Sequence, residues 1–380
     1  MAPREPMSRR RVLYFIWSLE RGGAERQLVE LVRGLDPARY EGDVVVARGP
    51  GGFASLLPRP PHNLDADGGF TARSFARLTA HIRALRPDVV HTYMGSMNFY
   101  GRLAARLAGA PRVVGSVRCT ELERADVVRE SLSRSLVDAV VVNSVGIRDE
   151  LVRRARLDPA RLDVIENGVD LDRFRPVAPE ARAEARAALG LTGRTVVLPG
   201  RVCPQKNQLT LVRALASLRR SGKLPPGARV VLAGRDGDAA YGDAARALGR
   251  ASGLDDVLDW RGEVGDLAPL VAAADAVVLP SRFEGLPNVV LEAMASGTPA
   301  AVSPAANLDA LITDGREGLV AHGSDEGATA LVLGRLFALT DDALAAMGRA
   351  GRAAAEARFP SARMVTRTME LYDRLLAPRG

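Results

Sequence analysis

The chain has 380 residues, 47% of them apolar, with 52 basic against 45 acidic side chains and a net charge of +7. That length exceeds what one hydrophobic core usually serves, so two domains are expected. No apolar run reaches the roughly 18 to 20 residues that span a bilayer, and residues 1–11 are charged without the apolar segment of a signal peptide. A cytoplasmic protein is therefore expected. No lysine-rich patch interleaves with aromatic residues, which disfavours nucleic acid as a partner.

Short β-rich apolar runs alternate with helical patterns along almost the whole chain, which predicts parallel sheets covered by helices on both faces. In the first half, strands are predicted at 12–17, 43–47, 88–91, 112–117, 139–142 and 162–165, with helices at 24–35, 72–85, 98–107, 122–136 and 145–155. The first strand runs into a loop carrying Gly22 and Gly23 at a helix start, where the backbone can approach a ligand closely. A third glycine of the G-x-G-x-x-G pattern is missing, so a nicotinamide or flavin site gains no support. The strand at 88–91 ends in His91, followed by Thr92 and Tyr93, and the strand at 112–117 is followed by Arg118. His62, His81 and His322 show no pairing, and no H-E-x-x-H or comparable metal cluster is present.

Asn167, Gly168, Val169 and Asp170 form a turn, and the proline-bearing stretch 174–179 reads as a hinge. The predicted domains are thus 1–176 and 184–357, with 358–380 returning to the first. The second half restarts the same grammar. Strands are predicted at 195–198, 229–233, 257–260, 276–279 and 300–302, and helices at 208–220, 241–251, 267–273, 287–296, near 308, and at 328–339 and 341–357. A last amphipathic helix is predicted at 361–376. The expected fold class is α/β, two Rossmann-like doubly wound domains facing a cleft, with ligands at the carboxyl ends of the strands.

The most informative stretch is 282–293, in which Glu284 and Glu292 stand eight positions apart around the start of a helix. Pro287 suits the first helical position, leaving Gly285 and Leu286 to offer backbone N–H groups to an anion at the positive helix end. The two carboxylates can reach opposite ends of one elongated, hydroxyl-rich ligand. After the strand at 195–198, Arg201 and Lys206 put two cations on one loop, where they could neutralise a diphosphate. Lys206 is one of only two lysines among 52 basic residues. A lysine retained where arginine fills nearly every basic role suggests a need for a compact ammonium.

Other chemistries lose ground. Asp65 with Asp67, and Asp236 with Asp238, look like D-x-D metal clamps, but each pair sits among glycines where aspartate favours turns, so no metal is expected. No P-loop and no G-x-S-x-G elbow occur. Cys119 and Cys203 match no metal spacing and read as free thiols. Before residue 184 there are 29 basic against 23 acidic residues. That excess suits an anionic membrane face contacted peripherally, or a phosphorylated acceptor.

Taken together, Gly200, Arg201 and Lys206, then Gly234, Gly262-Glu263-Val264, Pro280-Ser281, the span 284–292 and Gly297-Thr298-Pro299 resemble glycosyltransferase family 4, retaining enzymes of the GT-B fold. The resemblance covers nearly the whole chain, and is carried in the first half by Gly22-Gly23, the run 88–91, Asn143-Ser144 and the run 167–170. It implies that Arg201 and Lys206 bind the donor diphosphate, that Glu284 contacts donor-sugar hydroxyls, and that Glu292 holds the ribose. Gly22 and Gly23 would approach the donor phosphates or the acceptor, and the loop at Val264 would meet the base through its backbone. His91, Tyr93 and Arg118 fall on the acceptor side. Relatives show His-x-His where this chain has His91-Thr92-Tyr93, and a histidine where it has Arg118, which suggests an acceptor bearing negative charge.

The implied reaction is metal-independent, retaining transfer from a nucleoside diphosphate sugar to an acceptor hydroxyl, without a cofactor. Its setting would be cell-surface polysaccharide or glycolipid synthesis, the acceptor being a glycan, a glycolipid or a small molecule. An epimerase of similar fold and a non-catalytic sugar-nucleotide sensor are the competing readings.

Overall fold

The computed structural model describes residues 9–378; the part of the signal-peptide reading that concerns residues 1–8 lies outside them. The chain divides into two compact units, Met1–Gly168 with Ser361–Gly380, and Val169–Pro360.

The first unit contains β1 (Arg10–Ile16), α1 (Gly23–Gly34), β2 (Tyr40–Val46), β3 (His62–Asn63), α2 (Ala72–Leu85), β4 (Val89–Tyr93), α3 (Gly95–Leu107), β5 (Arg112–Val117), α4 (Arg124–Ser133), β6 (Ala139–Val142), α5 (Val145–Glu150) and β7 (Leu162–Val164). The second contains α6 (Pro179–Ala188), β8 (Thr195–Pro199), α7 (Gln208–Arg220), β9 (Arg229–Ala233), α8 (Ala239–Ala251), β10 (Leu258–Gly262), α9 (Ala268–Ala273), β11 (Ala276–Leu279), α10 (Asn288–Ala295), β12 (Ala300–Val302), β13 (Gly318–Val320), α11 (Glu326–Phe337) and α12 (Asp341–Arg358). The closing helix α13 (Ser361–Leu376) belongs to the first unit.

Each unit is one parallel sheet, with strand orders β3-β2-β1-β4-β5-β6-β7 and β10-β9-β8-β11-β12-β13. Strand β1 shows why both faces are covered. Val12, Tyr14 and Ile16 enter one apolar cluster with α1 and α13, while Leu13 and Phe15 enter another with Leu78 and Ile82 of α2. A side-chain period of two with every position buried is what a two-faced parallel sheet requires. In the second unit, Val196, Leu198, Val230 and Val278 pack with α7 and α11 on one side. On the opposite side Val277 and Leu279 pack with Val290, Leu291 and Met294 of α10.

The predicted break within 176–184 moves to Gly168/Val169. Val169 donates its N–H to the carbonyl of Phe359 at 2.8 Å and bridges to Pro360, and Phe174 lies in the cluster of Val277 and Leu279, so residues 169–176 go with the second unit. The return to the first unit falls after Pro360 rather than after residue 357. Helix α6, which no pattern predicts, follows the stretch 174–179. It buries no side chain fully, hence its weak signal, and Pro179 occupies its first turn, where proline is tolerated. Arg182 and Arg186 fasten it by reaching Asp275 at 2.7 and 3.4 Å. The edge strands β3 and β13, two and three residues long, are too short for periodicity to register. Near Leu308, a 3-10 turn at Pro304–Ala306 stands where a helix is predicted.

No helix of the described residues is long and apolar enough to cross a membrane.

Candidate active site

In the second unit the strand order reverses between neighbours β8 and β11. Loops leaving the carboxyl ends of two such strands diverge and open a crevice, the usual ligand position in doubly wound sheets. The loop after β8 carries Gly200, Arg201 and Lys206, and the loop after β11 carries Glu284 to Pro287, so both predicted stretches meet there.

The contacts are direct. Lys206 Nζ lies 2.5 Å from Glu284 Oε1, with the two side chains 15% and 8% exposed. The main chains are stapled beside them: the Arg282 N–H donates to the Gln205 carbonyl at 2.9 Å, and Gln205 Nε2 donates to the Phe283 carbonyl at 3.2 Å. Asn207 adopts a left-handed conformation at φ 60, and its Nδ2 donates to the carbonyls of Pro280 and Ser324 at 3.1 and 3.0 Å. Buried Gln208 folds the loop back, donating to the Arg201 carbonyl at 2.9 Å and accepting from the Cys203 N–H at 3.3 Å. Arg201 itself is exposed. The positioning residues Gln205, Asn207 and Gln208 are absent from the predicted site. Their signal was a polar run with an asparagine, the non-glycine type that best tolerates positive φ, between an apolar strand and a helix.

Close backbone approach shapes the same loop. Gly200 has φ +141, and a Cβ on Gly234, which follows β9, would lie 2.0 Å from the Gly200 carbonyl oxygen. Only glycine fits that crossing.

Glu284 and Glu292 are both buried, at 6% and 5% exposure. Glu292 lies inside α10 among buried Val290, Leu291, Ala293 and Met294. The helix begins one residue later than predicted. Pro287 is its cap, with φ −73 and ψ 111, because its ψ stays extended although its fixed φ suits a helix. The first-turn amides are thus those of Asn288 and Val289; Gly285 and Leu286 precede the helix, Gly285 half-buried and Leu286 buried. Val264, in the loop after β10, packs partly against the cluster of Val197 and Val231.

In the first unit the order reverses between β1 and β4. Gly22 caps α1 in an extended conformation, with Gly23 exposed beside it. His91 lies in the interior of the unit. It is fully buried, with Nδ1 2.6 Å from the Tyr372 hydroxyl and Nε2 2.9 Å from Ser116 Oγ. Burial first, and then the positive Arg118, hold its imidazole well below its ordinary range. Tyr93 is equally buried, beneath Arg118, whose guanidinium carbon lies 5.5 Å from the ring centre. Both rings, expected on the acceptor side, are covered because β4 is an interior strand packed on both faces. Arg118 retains 9% exposure, and its Nη1 donates to Asn167 Oδ1 at 2.7 Å.

The aspartate pairs serve local structure. Asp236 holds Arg246 through both oxygens at 2.8 and 3.1 Å, Asp238 caps α8 by accepting from the Tyr241 N–H at 3.0 Å, and Asp65 pairs with Arg77. Among the described residues no three His, Cys, Asp or Glu side chains gather as a metal would need. His62 and His81 are brought together only by the fold: their ring centres stack at 4.0 Å, because β3 lies along β2 beside α2.

Two doubly wound parallel-sheet units with such loops at their switch points define the GT-B class. A family model for Glycosyltransferase Family 4 matches residues 21–173, and one for Glycosyl transferases group 1 matches residues 193–338. The D-inositol 3-phosphate glycosyltransferase of Streptomyces scabiei (strain 87.22) is 35% identical over 292 residues, which are 71% of this chain and 64% of that protein. That of Streptomyces griseus subsp. griseus is 30% identical over 388 residues, covering 88% of this chain and 81% of the relative. The chain thus spans less than two thirds of the first relative and four fifths of the second. The crystal structure of Anabaena HepE in complex with UDP and glucose superposes with a TM-score of 0.84 at 20% identity, over 96% of this chain and all of that one. The chain belongs to glycosyltransferase family 4, a family of glycosyl-transferring enzymes.

Proposed function

We propose that the protein transfers a glycosyl group from a nucleoside diphosphate sugar to a hydroxyl of a small phosphorylated polyol, with retention at the anomeric carbon and without a metal ion. The observation that carries this reading is the Lys206–Glu284 contact, which sets a cation and a hydroxyl-binding acid side by side at the β8/β11 reversal. Lys206, Arg201 and the first-turn amides of α10 offer positive charge to the departing diphosphate, while Glu284 binds sugar hydroxyls and Glu292 the ribose. The acceptor oxygen bonds to the anomeric carbon, the bond from that carbon to the diphosphate oxygen breaks, and the released phosphate oxygen takes the acceptor's proton. Preorganised donors aimed at the leaving oxygen contribute most when it becomes charged.

The name shared by the Streptomyces relatives supports a phosphorylated cyclitol as acceptor, ahead of the polysaccharide or glycolipid expected from sequence. The UDP held by the structural neighbour makes uracil the first base to test.

The purified chain is to be incubated with UDP-, GDP- and ADP-sugars and an inositol phosphate, with and without EDTA, and the product anomer read by NMR. A retained anomer formed in EDTA is expected. An inverted product, or activity abolished by the chelator, contradicts the mechanism. A new nucleotide sugar formed without acceptor identifies an epimerase instead.

A further inference from the structure

We propose that Arg118 is the receptor for an anionic group, a phosphate or a carboxylate, carried by the substrate; the inference rests on the glycosyl-transfer reading and assigns the charge of its substrate.

Arg118 follows the carboxyl end of β5, next to the β1/β4 reversal where a doubly wound sheet presents ligands. It is nine-tenths buried, and among the described residues no carboxylate stands within ion-pair distance of it. A buried guanidinium without an acid is costly, and in folded proteins such cations are normally paired. Its side-chain contacts are with neutral groups. Nη1 donates to Asn167 Oδ1 at 2.7 Å, the Tyr93 ring lies beneath, and neighbouring His91 is spent on Tyr372 and Ser116. The same Asn167 oxygen accepts from Asn143 Nδ2 at 3.2 Å, so two side chains converge on one amide.

Two further atoms of this group are unsatisfied: Arg118 Nε is buried without an acceptor and Asn143 Oδ1 without a donor. Such atoms are rare enough in native proteins to demand a reason. Packing alone gives none, whereas an anion at the guanidinium's open edge balances the buried charge. The tether to Asn167 fixes the plane of the guanidinium, which suits the two-oxygen face of a phosphate or carboxylate.

The test uses the full chain and the variants Arg118→Gln, Arg118→Lys and Asn143→Asp. Asn143→Asp places a carboxylate beside the guanidinium and should occupy it from within. Calorimetry in the presence of UDP compares a cyclitol monophosphate with the parent cyclitol, and a parallel arm compares UDP-glucuronate with UDP-glucose. Wild type should prefer the charged member of one pair. That preference should fall about 10- to 100-fold in Arg118→Gln and Asn143→Asp and partly survive in Arg118→Lys. Loss in the first pair puts the anion on the acceptor; loss in the second puts it on the donor sugar.

Equal weakening for charged and neutral members in all three variants would make Arg118 merely structural and overturn the proposal, as would an unchanged preference in a variant that melts like wild type. Binding of UDP alone separates the two levels. If UDP binds and no preference exists, the Arg118 proposal falls while glycosyl transfer stands. If neither UDP nor any nucleotide sugar binds, the transfer reading falls, and the cyclitol pair still decides whether Arg118 receives an anion.

Discussion

Lys206 and Glu284, 78 positions apart in sequence, meet at 2.5 Å because β8 and β11 are neighbours in the sheet. Each therefore holds the other in place, and on the proposed function a donor diphosphate would exchange part of that contact for its own oxygens. Lys206→Ala should lower transfer about 100-fold or more, by analogy with the loss of an oxyanion donor. Glu284→Gln, which keeps the shape but not the charge, should weaken sugar binding more than binding of the free nucleotide. Steady-state kinetics with calorimetry of UDP and UDP-sugar checks both; equal turnover in wild type and Lys206→Ala would remove the lysine from leaving-group stabilisation.

Gly234→Ala drives a methyl group to within 2.0 Å of the Gly200 carbonyl oxygen. The loop bearing Arg201 must shift, so nucleotide affinity should drop along with a destabilisation of about 1–3 kcal/mol. Gly318→Ala provides the control, since its Cβ would press on the Ala300 carbonyl at 2.1 Å at the far edge of the same sheet. It should destabilise comparably and leave nucleotide affinity unchanged. If both substitutions weaken nucleotide binding alike, the effect is global and not that of the loop.

Beneath α4, Arg102 pairs with Glu130 at 2.7 Å, the two side chains being 0% and 4% exposed. Glu130 also accepts from Asn98 Nδ2 at 2.9 Å. Glu130→Ala leaves a buried guanidinium without its acid and should cost about 3–5 kcal/mol. Adding Arg102→Met should restore part of that loss, because the uncompensated charge goes with it. Urea unfolding of both variants decides: a double variant no more stable than the single one would show that shape, rather than charge, dominates.

Stability should depend on pH through His91. Its folded-state pKa is pushed well below the ordinary 6.5 by burial and then by Arg118. As pH falls below about 6.5 the unfolded chain takes up a proton that the folded chain refuses, so stability is full above that pH and declines as the medium is acidified. His81, lowered by burial and then by His62, adds a change of the same sign. Urea midpoints between about pH 7 and pH 5 should fall in wild type and fall less in His91→Asn, with His81→Asn as the second arm. Parallel slopes in all three proteins would exclude the histidines as the cause.

What could be read along the chain was whatever repeats locally. Fully apolar runs such as 276–279 announced interior strands, and the amphipathic pattern of α13 announced a docked helix, whose Met364, Val365, Leu371 and Tyr372 indeed join the β1 core. Helix α6 escaped because arginines reaching Asp275 hold it, and a charge contact across some ninety residues leaves no periodicity. The burial of His91 is illegible for a related reason: a polar side chain at a strand end looks the same in sequence whether it meets a ligand or the hydroxyl of Tyr372, 281 positions away.

By itself, then, the order of residues determined two doubly wound sheets, the family, and the glycines and charges that the loops after β8 and β11 carry. The tertiary structure decided which charges meet. It joined Lys206 to Glu284, sealed His91 into the core, and left Arg118 buried with no carboxylate in ion-pair reach among the described residues. These relationships depend on strand neighbours and burial, and a linear pattern carries neither, because strand pairing is settled by the competition of all apolar faces for one core.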